Sequence, residues 1–270
     1  MKRCFFLLML CCWFSGGPAR ADGAPSMKLL LVGSGPDGHP PQSHEYMAGL
    51  KILAKCLRIA PGLEITTVRA DEPWKDGPEL LARADGVVLF LSEGARWINH
   101  DPKRREALEQ MAARGGGIVV LHWAMGTRDA KNIDACLKLL GGCHGGPDRK
   151  YKELETDAAI ADRKHPITTG IKDFRVKDEF YYRLKFVKAE RGVHPLLRVT
   201  IDGQPETVAW SWERPDGGRS FGFSGLHFHD NWRLPAYRRL VAQGVLWTLK
   251  KPIPKDGLAV EVAEEDLKLP

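Results

Sequence analysis

The sequence predicts an α/β fold with a largely parallel sheet, and two observations support this class. Short apolar runs without polar alternation, such as Lys28–Val32, are typical of strands that are buried on both faces. Between these runs lie segments whose apolar residues recur at helical spacing, as Met47, Leu50, Leu53 and Leu57 do. Short buried strands that alternate with amphipathic helices are the pattern of a parallel sheet.

In the first half, the apolar runs and the helical spacing define six elements. The predicted strands are Lys28–Val32, Glu64–Arg69, Gly86–Leu91 and Gly117–His122, and the predicted helices are His44–Arg58 and Pro102–Arg114. The second helix has a clear start signal, because Asp101 can serve as its N-cap and Pro102 suits the first helical position.

The second half is less regular. It contains three predicted strands, turn signals between them and a final helix: Leu196–Ile201, Asp202-Gly203, Thr207–Glu213, Asp216–Gly218, Arg219–Leu226 and Pro235–Leu249. Residues 251–270 are rich in proline and charge and are interpreted as a tail. No linker or repeat divides the chain, so residues 22–250 are predicted to form one domain.

The N-terminal 21 residues resemble a secretory signal peptide. Lys2 and Arg3 precede the apolar stretch Cys4–Phe14, which is too short to span a bilayer. The small residues of Ala19-Arg20-Ala21 fit a cleavage site, so the mature chain is predicted to begin at Asp22. We therefore expect a secreted or periplasmic protein with no membrane span after cleavage.

Composition excludes several function classes. Hydrophobic residues make up 43% and charged residues 27% of the 270 residues, as in globular proteins. Removing residues 1–21 lowers the formal net charge from +6 to +3, too little for a nucleic-acid footprint. A homo-oligomer is compatible with the sequence.

Three cysteines, Cys56, Cys136 and Cys143, remain after removal of the predicted signal peptide. Either Cys136 pairs with Cys143 or all three are buried thiols.

Polar residues collect after the predicted strands, where parallel sheets bind ligands. His39, His44 and Glu45 follow the first strand, His122 ends the fourth, and the last strand leads into the segment 227–232 (HFHDNW). Alternate residues of an extended segment point the same way, so His227 and His229 can converge on one ligand. This geometry suits a divalent metal such as zinc, with His44 as a third ligand, or a cluster of sugar hydroxyls; the alternative is hydrogen bonding to loop carbonyls.

The segment 178–182 (DEFYY) sets an acidic pair beside aromatic side chains. A carboxylate held against aromatic faces can have a raised pKa, so Glu179 is a candidate general acid or base, with His122 as its catalytic partner. Sugar contacts are predicted for a set of polar and aromatic side chains: His39, Glu45, Tyr181, Tyr182, Asp230, Asn231 and Trp232. Alternatively, the tyrosines pack in the core and the acid is exposed.

Two further motifs carry less weight. Residues 33–38 (GSGPDG) match the dinucleotide pattern G-x-G-x-x-G, but Pro36 interrupts it and no helix can begin before about Ser43. A flexible site loop is therefore favoured over a nucleotide cradle. No G-x-S-x-G is present, and His122, rather than cysteine or serine, stands where a nucleophile would follow the fourth strand.

The chain is similar to the ThuA-like (trehalose utilisation) family from about Lys28 to Lys250. The resemblance is carried by GGGIVVLH (115–122), HPIT (165–168), DEFYY (178–182), ERPDGGRSFGFSGLHFHDNW (213–232) and RRLVAQGVLWT (238–248). It implies a flavodoxin-like three-layer α/β/α sandwich like that of class I glutamine amidotransferases, with His122 in place of the amidotransferase cysteine. The site residues carried over by motif are His44, His122, Glu179, His227 and His229.

The resemblance also implies a role in carbohydrate catabolism. The favoured hypothesis is an enzyme, such as a hydrolase, lyase or isomerase, that acts on a disaccharide, glycoside or keto-sugar through histidine and glutamate. The alternative is a non-catalytic carbohydrate-binding protein. A nucleotide-cofactor oxidoreductase is less favoured, because free nicotinamide cofactors are scarce outside the cytoplasm.

Overall fold

The computed structural model describes residues 26–188 and 192–269, so the predicted signal peptide lies outside the described residues. The α-helices are α1 (Tyr46–Leu57), α2 (Gly77–Arg83), α3 (Gly94–His100), α4 (Pro102–Ala113), α5 (Ile133–Leu140) and α6 (Pro235–Thr248). The strands are β1 (Met27–Gly33), β2 (Leu63–Arg69), β3 (Gly86–Phe90), β4 (Gly117–Leu121), β5 (Gly126–Thr127), β6 (Gly142–Gly145), β7 (Lys150–Ile160), β8 (Phe174–Tyr182), β9 (Lys185–Phe186), β10 (Val193–Ile201), β11 (Gln204–Glu213) and β12 (Arg219–Phe223).

Nine strands form one sheet in the order β2-β1-β3-β4-β12-β11-β10-β7-β8, and β5, β6 and β9 form a small second sheet. The strands from β2 to β12 run parallel. The strands from β11 to β8 are antiparallel to their neighbours. The α/β class is thus confirmed, but the prediction of a mainly parallel sheet is wrong.

The mixed sheet follows from the connections in the second half of the chain. Asp202 and Gly203 have φ values of +52° and +74° and join β10 directly to β11. A two-residue turn of this kind can join only antiparallel strands, whereas parallel strands need a long crossover. The predicted turn signal was therefore also evidence against a parallel sheet in this half.

The parallel strands are covered on both faces. Leu29 and Leu31 of β1 belong to a core that includes side chains of α1 and α6. Leu30 and Val32 belong to a second core with side chains of α2, α3, α4 and α5. This alternation explains the continuous apolar run, because both faces of the strand are buried.

The elements with strong sequence signals lie close to their predicted positions. The Asp101 carboxylate accepts the backbone N–H of Lys103 at 2.9 Å and caps α4, as predicted. The long hairpin of β7 and β8 was not predicted, because its paired strands expose mostly charged residues and lack a continuous apolar run. The end of the hairpin away from its connecting loop nevertheless contains the segment 178–182 and brings it to the site.

Residues 251–269 pack against the domain. Leu258, Val260 and Leu267 are buried in the core shared with α1 and α6. Arg238 of α6 donates a hydrogen bond from Nε to the Val260 carbonyl at 2.8 Å. The segment interpreted as a tail is therefore an integral part of the folded unit.

The three cysteines of the described residues are buried free thiols. Of the two alternatives left open by the sequence, the structure shows the thiols. Within the described ranges, no helix combines the length and the apolar character that a membrane crossing requires.

Candidate metal centre

Four potential ligand side chains converge at the carboxyl edge of the parallel strands. His44 follows β1, His122 follows β4, His227 follows β12, and Glu179 lies near the end of β8. One ligand atom from each of the four lies within 4.8 Å of all the others. This is the edge at which ligands bind in open α/β sheets.

Backbone pairing between two loops places His44 beside His227. The N–H of His44 donates to the carbonyl of His227 at 2.9 Å, and the N–H of His229 donates to the carbonyl of Gln42 at 2.7 Å. The two imidazole centroids lie 4.7 Å apart. The loop after β1 is thus held against the segment after β12 as a short antiparallel bridge.

His122 is held by its backbone and by its ring. The residue adopts φ = +51°, in the left-handed region that side chains other than glycine rarely occupy. Its side chain is fully buried, and Nδ1 lies 2.8 Å from the carbonyl oxygen of Ser224. His44 has a similar φ of +54°. Such conformations cluster at functional sites because the surrounding structure must hold them in place.

Nε2 of His122 is the centre of the cluster. It lies 3.0 Å from His44 Nε2, 3.1 Å from the Tyr181 hydroxyl, 3.3 Å from His227 Nδ1 and 3.8 Å from Glu179 Oε1. The carboxylate oxygen of Glu179 also lies 3.5 Å from His227 Nδ1. One imidazole lone pair can accept a single hydrogen bond, so four polar neighbours exceed its capacity.

The outer partners of two histidines fix their tautomers. A carbonyl only accepts, so His122 must donate from Nδ1 to Ser224, which leaves the lone pair on Nε2. His44 likewise faces the Asp37 carboxylate with Nδ1 at 2.7 Å, which leaves its lone pair on Nε2. Two lone pairs therefore face each other across 3.0 Å, and a proton or a metal cation is needed between them.

The spacing and the protonation state of the site suit a metal. Nitrogen ligands about 2.0 Å from one tetrahedral zinc ion lie roughly 3.3 Å apart, close to the distances around His122. Burial lowers the pKa of His122 well below its usual value and lowers the pKa of His227 to about 4. Both imidazoles are therefore neutral near pH 7, which is the form that binds metals.

Asp37 forms the outer support of His44. Burial would raise the pKa of Asp37, but hydrogen bonds from His44 and Tyr46 hold it well below its usual range. The Tyr46 hydroxyl donates to Asp37 Oδ2 at 2.7 Å, and the ring of His39 lies beside the other oxygen. A carboxylate behind a metal-binding histidine orients the ring and raises its basicity. In the sequence, Asp37 is part of the glycine-rich motif 33–38, and no pattern there links it to His44.

Glu179 and Tyr181 line the same side of the centre. Burial raises the pKa of Glu179, the direction that suits a general acid or base near neutral pH. The ring of Tyr181 stacks between His122, at a centroid distance of 4.6 Å, and His144, at 4.5 Å. Tyr181 is thereby held rigidly with its hydroxyl at the cluster.

Asp178 points to the opposite face of β8, because successive side chains of a strand alternate. Its buried carboxylate accepts the backbone N–H groups of Leu226 at 2.7 Å and His227 at 3.1 Å, and the Tyr237 hydroxyl at 2.9 Å. Burial raises the pKa of Asp178 to about 7 despite these bonds. The residue holds the loop that carries His227, a role the sequence did not indicate.

The structure does not bring His229 into the cluster. Its Nε2 donates to the carbonyl of Leu267 at 2.9 Å, on the side of the C-terminal segment. The segment leaves the strand at Phe223 and enters a 3-10 turn at His229, so the alternation expected for an extended segment does not hold. His122, predicted as the catalytic partner of Glu179, lies beside Glu179 among the four side chains that could hold a metal ion.

The predicted sugar-binding residues are distributed over several places. Tyr182 and Trp232 lie in the hydrophobic core, so neither offers a free face to a sugar ring. His39 and Glu45 line a cavity of about 380 Å³ formed by the loop after β1. Asp230 and Asn231 line a separate cavity of about 440 Å³ beside β8. Two of these residues touch a cluster histidine: the Tyr181 hydroxyl lies 3.1 Å from His122 Nε2, and the ring centroids of His39 and His44 lie 3.7 Å apart.

The glycine-rich loop does not form a nucleotide cradle. Helix α1 begins at Tyr46, well after Gly38, so no helix N-terminus follows the third glycine. The Gly35 N–H, within the motif, donates to the carboxylate of Asp71 at 2.9 Å. The loop instead brings Asp37 and His44 to the candidate metal centre.

Comparison with known proteins bears on this site and fold. The ThuA family, described as trehalose utilisation, matches residues 30–248. The chain belongs to the ThuA family. None of the curated proteins matches it. Membership supports a role related to carbohydrates. The matched range includes every residue of the candidate metal centre.

Solved structures of ThuA-like proteins share the fold. One from Bacteroides uniformis has a TM-score of 0.62 at 17% identity over 86% of this chain and 95% of its own. One from Parabacteroides merdae has a TM-score of 0.64 at 16% identity over 91% of this chain and 100% of its own. The glutaminase domain of Trypanosoma brucei CTPS matches at a TM-score of 0.47 and 13% identity, over 86% of this chain and 98% of its own.

Proposed function

We propose that this ThuA protein is a metal-dependent enzyme of saccharide breakdown. His44, His122 and His227 would hold a divalent cation such as zinc, and Glu179 would move a proton to or from the bound sugar. The main support is the pair of imidazole lone pairs that face each other across 3.0 Å. Three histidines with an adjacent carboxylate form a common donor set of catalytic zinc sites.

The contacts of each site residue support the role proposed for it. Asp37 and the Ser224 carbonyl orient His44 and His122, and the loop held by Asp178 supplies His227. A cation at this place would polarise a carbonyl or hydroxyl oxygen of the sugar and acidify a bound water. Glu179, on the exposed side of the cluster, accepts or returns a proton, and the Tyr181 hydroxyl hydrogen-bonds the oxygen that gains charge. The substrate class proposed is a disaccharide, glycoside or keto-sugar.

We also propose that the protein acts outside the cytoplasm. Support comes from the N-terminal segment, with two basic residues, an apolar stretch and a small-residue cleavage site. N-terminal sequencing of the protein exported by a bacterial host is expected to begin at Asp22.

The metal content of the purified protein tests the central proposal. We expect about one zinc or manganese per chain by mass spectrometry of the metal, and turnover within a panel of glycosides and 3-keto-glycosides that EDTA abolishes. His122→Ala should lose both metal and turnover, because it removes the central ligand. His229→Ala is the matched control and should keep both, since its ring bonds to a backbone carbonyl outside the cluster.

Two results would contradict the proposal. Full metal content in His122→Ala would show that the metal binds elsewhere. A metal-free wild-type protein with undiminished turnover would show that a proton, not a metal, lies between His44 and His122. Sugar binding without any turnover, unchanged in Glu179→Gln, would instead favour the non-catalytic binding protein.

A further inference from the structure

An exposed aromatic side chain lies next to the metal centre on the β7–β8 hairpin. Tyr151 pairs with Tyr181 across the two strands, and Glu153 pairs with Glu179. Directly paired residues share a face of the sheet, so Tyr151 and Glu153 lie on the face that carries Glu179 and Tyr181 to the site. Of the described large hydrophobic side chains, only Tyr151, at 64%, and Ile59, at 55%, are exposed.

The packing of Tyr181 leaves one face of the Tyr151 ring free. His122 and His144 cover the two faces of Tyr181, so Tyr151 can meet only its edge. The two tyrosine rings are 6.3 Å apart at an angle of 73°, an edge-to-face contact. In this arrangement one face of Tyr151 meets the edge of Tyr181, and the 64% exposure of the residue leaves its other face accessible to a ligand.

Charged groups lie farther along the same face of the hairpin. Glu153 forms an ion pair with Lys177 of β8 at 3.0 Å, and both side chains are at least half exposed. The ammonium group of Lys177 also lies over the ring of Phe228, 5.6 Å from its centroid. Phe228 directly follows His227 of the candidate metal centre. An aromatic platform with a few charged hydrogen-bonding groups beside it is the composition of a small-molecule subsite.

We propose that Tyr151, Glu153 and Lys177 form a subsite for the second sugar ring of a disaccharide whose first ring is at the metal centre. The apolar C–H face of the second ring would stack on Tyr151, while its hydroxyls bond to Glu153 and Lys177. The Tyr181 ring contacts both the Tyr151 ring and the His122 ring, so the subsite adjoins the centre. The inference rests on the proposed function, because it assumes a saccharide at that centre.

Calorimetric titration with one-ring and two-ring sugars tests the subsite. The probes are methyl α-glucoside and trehalose, with wild type, Tyr151→Ala, Tyr151→Phe and the surface control Ile59→Ala. Loss of the stacking ring should weaken trehalose binding about tenfold in Tyr151→Ala. Tyr151→Phe keeps the ring and should bind trehalose like wild type, as should Ile59→Ala. Affinity for methyl α-glucoside should be equal in all four proteins.

Each other outcome has a definite meaning. If wild type binds methyl α-glucoside and trehalose equally, or if Tyr151→Ala keeps full trehalose affinity, the subsite is refuted while the saccharide function stands. If wild type binds neither sugar but contains the metal and turns over another class of compound, the saccharide assignment fails and the subsite fails with it.

Discussion

His122 combines a sequence signal with a conformation that the sequence does not reveal. It follows a buried strand, where a functional residue is expected, but its role depends on φ = +51° and on the Ser224 carbonyl more than a hundred residues away. His229 also lies in a segment that predicts a functional site, yet it lies outside the cluster. The path of the backbone places His122 at the cluster and directs His229 to the carbonyl of Leu267.

At the residue scale, we predict that Asp178→Asn lowers stability and metal affinity together. Every contact named for this buried carboxylate comes from a donor, so an amide NH₂ would face another donor. The free energy of unfolding should fall by about 1–3 kcal/mol. Metal affinity should fall as well, because the freed loop carries His227.

Urea unfolding of the metal-free protein and competition with a chelator measure the two effects of Asp178→Asn. Asp76→Asn is the matched control, since Asp76 is exposed and its side chain makes no capping bond. Unchanged metal affinity in Asp178→Asn, despite lower stability, would show that Asp178 is structural and does not position His227.

The outer carboxylate gives a second prediction at this scale. Asp37→Asn should weaken metal binding by roughly 10–100-fold, because the partner that orients His44 is lost. Chelator competition gives the affinity. Asp71→Asn is the control in the neighbouring loop, because Asp71 contacts Gly35 and Arg69 rather than the cluster. Equal affinities of Asp37→Asn and wild type would exclude Asp37 as the support of His44.

At the scale of elements, the strength of the sequence signal follows the degree of burial. The central parallel strands are buried on both faces and have continuous apolar runs, so their positions could be predicted. β7 and β8 have an exposed face with many charged side chains, and this dilutes the apolar pattern. Residues 251–269 are rich in charged residues, but three of their apolar side chains, Leu258, Val260 and Leu267, are buried in the core that includes α1 and α6.

The C-terminal segment can be tested as part of the fold. Val260 is 1% exposed, so Val260→Ala should lower the free energy of unfolding by about 1–3 kcal/mol through lost burial and a residual cavity. Thermal and urea unfolding provide the measurement. The exposed neighbour Glu265→Ala should change stability by less than about 0.5 kcal/mol. If both variants unfold like wild type, the segment does not contribute to the core.

At the scale of the whole molecule, stability should depend on pH through buried neutral histidines. Burial lowers the pKa of His165 to about 4, and its Nδ1 accepts the N–H of Ile167 at 3.2 Å. The unfolded chain therefore takes up this proton at a higher pH than the folded chain. The free energy of unfolding should fall as pH decreases from about 6.5 to about 4, and this contribution is complete above 6.5.

Urea titrations of the metal-free protein between pH 4 and 8 measure this dependence. His165→Gln removes the titrating group, so the loss of stability over that range should be smaller than in wild type, whatever the stability at pH 8. Parallel curves for the two proteins would mean that His165 does not contribute to the acid sensitivity.

The sequence by itself determined the α/β class and the positions of the elements buried on both faces, because burial and helix capping leave patterns in residues that are close together in the chain. It also determined the family, through motifs that can be read directly from the residues. It also indicated His44, His122, Glu179 and His227 as site candidates. Only the tertiary structure decided that the sheet is mixed, that Asp37 supports His44, and that Tyr182 and Trp232 belong to the core. These features depend on contacts between distant segments and on single backbone conformations, and no local pattern of residues specifies either.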